Sequence, residues 1–229
     1  MSQIMINKTT LIFLKNLSEN NNREWFNTNK AKYIIAHENM CVFIDALILE
    51  MNRHDQLVNE LGKKSIYRIY NDVRFSKDKS PYNPRFAAGF QRATKFKRGG
   101  YYLSIKPGNS FLACGFWGPN PDDLKRIRQD ISENYMDWNK LLKKKSITTH
   151  FGNMLGDKVL TAPKGYSKEH PAINLLRHKQ FIFRHNFSDK DIIAPDFIKT
   201  LNTIYKSIRP FFDYMSEVLT TDGNGEVNV

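Results

Sequence analysis

Side chains that can bind an anion are concentrated in RIYNDVRFSKDKSPY, residues 68–82. If residues 66–75 form an extended strand, successive side chains point to opposite faces. One face then carries an apolar set that can be buried, Tyr67, Ile69, Val73 and Phe75. The other face carries the polar set Arg68, Tyr70, Asp72 and Arg74. Neighbours on one face of a strand lie about 7 Å apart, which is within reach of an Arg–Asp contact.

Two guanidinium groups beside one carboxylate leave spare hydrogen-bond donors. We therefore expect Asp72 to orient Arg68 and Arg74 toward a phosphate or carboxylate, or to act as a base. The turn that follows adds Lys79 and Tyr82 as further ligand-binding residues. The alternative is a structural network in which the ion pairs satisfy one another.

A second candidate for chemistry is His170, which directly precedes Pro171. Proline suits the first position of a helix, so His170 would lie at a helix amino end, where unpaired N–H groups favour an anion. A histidine can donate or accept a proton at neutral pH, which makes His170 a candidate catalytic residue beside Asp72. It can equally serve as a helix cap or a surface residue.

The positive charge of the chain is local. Twelve lysines and arginines but only two aspartates lie between residues 61 and 106, which accounts for ten of the twelve net positive charges. This field predicts an anionic partner, with a small phosphorylated or carboxylated molecule as the leading hypothesis and a solubilising surface as the alternative. Aromatic residues between the cations favour a further alternative, a nucleic-acid-binding module. They are Tyr67, Tyr70, Phe75, Tyr82, Phe86, Phe90, Phe96, Tyr101 and Tyr102.

Several familiar motifs are absent from the sequence. It contains no Walker loop, G-x-G-x-x-G, H-E-x-x-H, C-x-x-C or G-x-S-x-G pattern. The six histidines show no metal-ligand spacing, so no metal site is predicted and no cofactor is identified. Whether the chain is an enzyme stays open at this point.

The helices and strands that the sequence pattern predicts around these residues indicate an α+β fold. We expect an antiparallel or mixed sheet from the central region, packed by a long N-terminal helix over about 21–54 and by C-terminal helices. Strands are expected at about 66–75, 85–92, 101–106, 110–117 and 180–187, and a last helix at 194–219 with a break at Pro210. One domain is predicted over residues 1–220, followed by a flexible tail over 221–229.

The chain shows no apolar run of the roughly 20 residues that a membrane span requires, and no secretory signal. Its two cysteines, Cys41 and Cys114, are too few for a disulfide framework. We therefore expect reduced cysteines, no membrane partner and a cytoplasmic location.

The stretch 68–82 resembles the signature of a widespread, mainly bacterial family of uncharacterised proteins, domain of unknown function 2461. The signature reads R-x-x-R-D-x-R-F, then Asp or Asn followed by Lys, then Tyr. The matching residues are Arg68, Asp72, Arg74, Phe75, Asp78, Lys79 and Tyr82, whereas Asn71 stands where the family usually has arginine. Blocks around residues 13–33, 99–119 and 162–181 also look like this family. The resemblance implies no activity, because the family has none assigned.

Overall fold

The fold is known from a computed structural model that describes residues 4–221 and Glu226. The helices of this part of the chain are α1 (Lys8–Glu19), α2 (Arg23–Thr28), α3 (Lys30–Met51), α4 (Gly62–Ser65), α5 (Pro121–Glu133), α6 (Tyr135–Leu142), α7 (Lys145–Thr148), α8 (Ile173–Leu176), α9 (Asp189–Ile192), α10 (Phe197–Ser207) and α11 (Arg209–Thr220). The strands are β1 (Phe86–Gln91), β2 (Gly100–Ile105), β3 (Ser110–Phe116) and β4 (Phe181–Phe187). They form one antiparallel sheet in the order β1-β2-β3-β4, which confirms the predicted α+β class.

The chain divides into two compact units. The first comprises the residues up to Phe90, Tyr102–Leu112 and Asn186–Thr203, and the second comprises Gln91–Tyr101, Ala113–His185 and the residues from Ile204 onward. The single domain proposed over residues 1–220 stays a prediction. Most of the tail predicted for 221–229 lies outside the described residues.

The segment over about 21–54, which the sequence pattern predicted as one long helix, forms two helices, α2 and α3. Asn22 begins α2, because its side-chain oxygen accepts a hydrogen bond from the Trp25 N–H at 2.9 Å. Asn29 ends the same helix by donating from its side-chain amide to the Trp25 carbonyl at 2.9 Å. This local bond competes with continuation of the helix, so α3 begins afresh at Lys30.

The strand predicted over residues 66–75 is wrong. This segment makes only isolated antiparallel bridges, between Ile66 and Ala88 and between Tyr70 and Tyr82. The Asn71 side chain donates to the Ser80 carbonyl at 3.0 Å, and Asp72 accepts from the Arg74 N–H at 3.2 Å. Side chains that bond to nearby backbone in this way favour turns over a continuous ladder.

The later elements agree with their predictions. β1, β2, β3 and β4 lie within one residue of the predicted strands at each end. Asn120 caps α5 by accepting from the Asp123 N–H at 2.8 Å, and Pro121 takes the first position of that helix. The C-terminal helical segment is broken at Ile208, between α10 and α11, as the proline at position 210 predicted.

Small residues in the strands accommodate close packing. A Cβ added to Gly89 would meet the Tyr67 hydroxyl at 2.6 Å, and one added to Gly115 would meet the Phe181 carbonyl oxygen at 2.1 Å. Ala87 and Ala113 are buried. The absence of a side chain at Gly89 and Gly115 therefore makes room for neighbouring groups.

Candidate functional site

The candidate site is a surface loop of the first unit, residues 67–82, which we call the basic loop. Its two arms meet at the Tyr70–Tyr82 bridge, where the Asn71 N–H donates to the Pro81 carbonyl at 2.9 Å and the Asn83 N–H donates to the Ile69 carbonyl at 2.7 Å. These bonds hold the base of the loop. The residues between them project into solvent, with only Asn71, Val73, Ser80 and Pro81 partly covered.

Asp72 and Arg74 form a two-point ion pair in this loop. Arg74 Nε donates to Asp72 Oδ1 at 2.9 Å and Arg74 Nη2 donates to Asp72 Oδ2 at 2.7 Å. The hydrogen bonds from Arg74 hold the pKa of the Asp72 carboxyl below its usual value, and the charge of Arg68 acts in the same direction. Asp72 and Arg74 are therefore in direct contact, as their spacing of two residues suggested, although a turn and not a strand brings them together.

The Arg74 side chain stays 77% exposed despite this pair. Two of the five N–H donors of a guanidinium are directed to Asp72, which leaves three. The remaining donors, including both of Nη1, have no hydrogen-bond partner among residues 4–221. Arg74 is thus oriented by Asp72 and still open to a further acceptor.

The other cations of the loop differ in whether they bond to the protein. Lys79 Nζ donates to the Val73 carbonyl at 3.0 Å and so closes the loop on itself. Arg68 and Lys77 are exposed and make no hydrogen bond or ion pair with any described residue. Asp78 is used internally, because it accepts from the Ser80 N–H at 2.8 Å, and this bond lowers the pKa of its carboxyl.

The predicted buried face of the segment is mostly exposed. Of its four members, Ile69 is buried, whereas Tyr67 is 58% and Phe75 95% exposed. Tyr70, which was predicted on the polar face, is 51% exposed. The predicted division into a buried and an exposed face fails because it assumed a continuous strand. The segment makes only isolated β-bridges.

Tyr82 lies beneath the loop and is only 4% exposed. Its ring stacks on Phe26 with ring centroids 4.0 Å apart, and its backbone N–H and carbonyl bond to the Asn21 side chain at 3.1 Å and 2.8 Å. These contacts anchor the second arm of the loop to the segment that begins α2. The position of the ring gives Tyr82 a clear packing role, whereas its predicted contact with a ligand stays a prediction.

One face of α3 brings polar groups next to the base of the loop, and sequence analysis missed this face. Tyr33 and Tyr70 interact electrostatically, and burial together with Tyr70 raises the pKa of Tyr33. The Tyr33 ring contacts His37, whose Nδ1 lies 3.6 Å from the Cys41 Sγ. The four-residue spacing of Tyr33, His37 and Cys41 was the available signal, because residues four apart share a helix face.

The imidazole of His37 and the thiol of Cys41 on this face of α3 both favour their neutral forms. Burial lowers the pKa of His37, and the positive charge of Lys63 lowers it further. Burial raises the pKa of the Cys41 thiol, with Asp45 adding to the effect and Lys63 opposing it. A protonated thiol therefore faces a neutral imidazole, which suits a stable packed contact better than an activated nucleophile.

His170 belongs to the second unit, whereas Asp72 and Arg74 belong to the first. Its Nδ1 accepts a hydrogen bond from the Ala172 N–H at 3.0 Å, so the ring proton of the neutral form lies on Nε2. Nε2 lies 2.9 Å from Ser132 Oγ and donates to it. In this arrangement His170 does not accept the Ser132 proton, and it orders the turn that leads into α8.

Two other members of the basic cluster are used within the second unit. Arg92 is buried, and it bonds to the Arg98 carbonyl at 2.8 Å and to Asp213 at 3.2 Å. Arg98 forms an ion pair with Asp123. The net charge counted over residues 61–106 therefore overstates the positive charge that is available to a partner.

Two further observations concern the described part of the chain. No helix within residues 4–221 combines the length and the apolar character needed to cross a membrane. The same residues contain no group of three His, Cys, Asp or Glu side chains arranged to hold a metal ion.

Comparison with protein families matches residues 9–214 to a family described as "Conserved hypothetical protein (DUF2461)". The matched segment includes the whole basic loop and His170. Comparisons with curated proteins and with solved structures found no significant match.

Proposed function

Because the chain belongs to the DUF2461 family of conserved hypothetical proteins, whose description names no activity, we propose a function from the geometry of the basic loop. The proposal is that the loop binds an anionic ligand through Arg74, with Arg68 and Lys77 contributing charge. The ligand carries a phosphate or a carboxylate. A cytoplasmic location belongs to the same proposal, since Cys41 and Cys114 are both free thiols.

The observation that supports this proposal most strongly is the Asp72–Arg74 pair. A guanidinium presents its donors in a fixed planar fork that matches two oxygens of a carboxylate or phosphate. Asp72 occupies one edge of the fork and so fixes its direction, which reduces the conformational entropy that a ligand would have to overcome. The edge that carries Nη1 is left for the ligand.

Charge around the pair favours an anion over a cation at this position. The carboxylate of Asp72 is already engaged by Arg74, and that of Asp78 by the Ser80 backbone. Arg68 lies close enough to Asp72 to lower its pKa and has no ion-pair partner among residues 4–221. An arriving anion would therefore meet unpaired cations and no unpaired carboxylate of the loop.

The alternative of a purely structural ion network is less well supported. Both side chains of the pair are open to solvent, with 77% of Arg74 and 43% of Asp72 exposed. Exposed ion pairs contribute little to stability, since water and salt screen the attraction. Folding alone therefore gives little reason for this arrangement.

A thermal-shift experiment tests the proposal. The wild-type protein is screened against inorganic pyrophosphate, nucleotides, sugar phosphates, dicarboxylates and divalent metal salts, beside Arg74→Ala. Arg53→Ala is the matched control, because Arg53 is also an exposed arginine of the first unit, paired with Glu50 at 3.1 Å. We expect at least one anion to raise the melting temperature of the wild type and of Arg53→Ala, but not that of Arg74→Ala. Equal shifts in all three proteins, or no shift in the wild type, would refute the proposal.

A further inference from the structure

The most exposed aromatic side chain of the basic loop is Phe75, at 95%. Burying a phenylalanine side chain contributes about 1.5–3 kcal/mol to folding, and Phe75 contributes almost none of this. Its ring lies beside the neighbouring Arg74, whose guanidinium carbon is 6.0 Å from the ring centroid. An open aromatic face and an oriented guanidinium thus stand side by side.

Two further aromatic residues of the loop are accessible, Tyr67 and Tyr70, at 58% and 51%. By contrast, Tyr82, Phe86 and Phe90 of the same unit are buried. The structure therefore separates the aromatic residues of this region into core members and exposed members. The exposed members are those that are interleaved with Arg68 and Arg74 in the sequence.

Exposed cations also flank the Asp72–Arg74 pair on both sides in the sequence. Between residues 63 and 79 the exposed cations are Lys63, Lys64, Arg68, Arg74, Lys77 and Lys79. A small ligand is usually held in a cleft that buries most of its surface, and the strongly exposed side chains of the loop provide no such enclosure. A string of phosphates needs only a track of positive charge, so the charge complements a polyanion better than a single small anion.

Exposed aromatic rings distinguish between kinds of polyanion. In a duplex the faces of the bases are stacked on one another, whereas in a single strand they are free to stack on protein side chains. An acidic polypeptide would satisfy the lysines and arginines but would gain little from the ring of Phe75. Single-stranded nucleic acid has both a phosphate chain and flat, accessible bases.

Resting on the anion-binding function proposed above, we propose that the ligand of the basic loop is single-stranded nucleic acid, with a base stacked on Phe75 and the adjacent phosphate on Arg74. Tyr67 and Tyr70 offer additional accessible ring surface. The proposal concerns binding and assigns no reaction.

The test measures fluorescence anisotropy of a labelled 12-nucleotide single strand of mixed sequence, as DNA and as RNA. Phe75→Ala should weaken binding roughly tenfold, which corresponds to the loss of one stacked base, whereas Phe75→Trp should retain it. Leu160→Ala is the control, because Leu160 is an apolar side chain that is 91% exposed in the second unit. It should leave the affinity unchanged.

Inorganic pyrophosphate separates this inference from the proposed function. Phe75→Ala should respond to pyrophosphate as the wild type does, whereas Arg74→Ala should lose both pyrophosphate and the oligonucleotide. If pyrophosphate binds through Arg74 but Phe75→Ala keeps full affinity for the oligonucleotide, the stacking inference is wrong and anion binding stands. Equal affinity for a duplex of the same length or for poly-glutamate would also overturn it. If the wild type binds neither the oligonucleotide nor any anion of the thermal-shift screen, both proposals are wrong.

Discussion

Asp72 and Arg74 are two residues apart in the sequence, and their side chains meet in parallel hydrogen bonds of 2.9 Å and 2.7 Å at an open surface. The Arg74 N–H also donates to Asp72 Oδ1 at 3.2 Å, so the backbone turn and the ion pair support each other. The aspartate therefore sets both the conformation of the loop at this point and the direction of the guanidinium.

Replacing Asp72 with asparagine should show whether Asp72 positions Arg74 for ligand binding or stabilises the folded protein. In Asp72→Asn one carboxylate oxygen becomes an amide that cannot accept from Arg74, so the two-point pair is lost and Arg74 becomes less ordered. We expect weaker binding of the anion found in the screen, measured by titration calorimetry, and an unchanged melting temperature. A clear fall in melting temperature without any change in affinity would instead favour the structural ion network.

Two substitutions of Tyr82 distinguish its role in packing from a direct contact with a ligand. Tyr82→Ala removes a buried ring that stacks on Phe26 and should lower the free energy of unfolding by about 3 kcal/mol, measured by urea denaturation. Tyr82→Phe keeps the ring and removes only the hydroxyl, so we expect it to preserve anion affinity. Weakened anion binding by Tyr82→Phe would support the direct contact between the tyrosine hydroxyl and a ligand.

Sequence analysis predicted the later strands well, because their signals are local. β2 and β3 alternate around the turn Pro107-Gly108-Asn109, and both the period and the turn residues can be read without knowledge of the rest of the chain. The predicted strand over 66–75 showed a similar alternation, yet the hydrogen bonds of Asn71 and Asp72 to nearby backbone interrupt it. Alternation alone does not reveal this competition.

The candidate site was predicted in part for a similar reason. The contact between Asp72 and Arg74 depends on a spacing of two residues and was visible in the sequence. The proximity of Tyr33 to Tyr70 depends on how α3 packs against a loop almost forty positions later, and no local pattern determines that. The exposure of Phe75 was missed because an apolar residue in an alternating segment is normally a core residue.

Gly115 should tolerate no side chain. Its φ of +144° is unfavourable for other residues, and an added Cβ would lie 2.1 Å from the Phe181 carbonyl oxygen, so β3 and β4 would have to separate. We expect Gly115→Ala to lower the free energy of unfolding by about 3 kcal/mol or more in urea denaturation. Gly118→Ala is the control, because its added Cβ would meet no atom within 4 Å. Equal stability of the two variants would contradict the packing described for this strand pair.

His178 should make stability depend on pH. Burial, followed by the nearby charge of Lys158, lowers the pKa of His178 to about 4, whereas an unfolded histidine has a pKa of about 6.5. Between these values the unfolded chain takes up a proton that the folded protein does not, so the free energy of unfolding should fall as pH drops from about 6.5 to about 4 and should level off below.

The loss should not exceed about 3.5 kcal/mol, because the pKa of His178 is displaced by about 2.5 units and each unit corresponds to about 1.4 kcal/mol. Urea denaturation of the wild type and of His178→Asn across this range measures the effect, since the asparagine side-chain nitrogen occupies the position of Nδ1, can donate to the Gln180 carbonyl and does not titrate. The variant should show a smaller pH slope, but not a zero slope, because burial also lowers the pKa values of His37 and His150. Identical slopes in the two proteins would show that His178 is not held neutral by its burial.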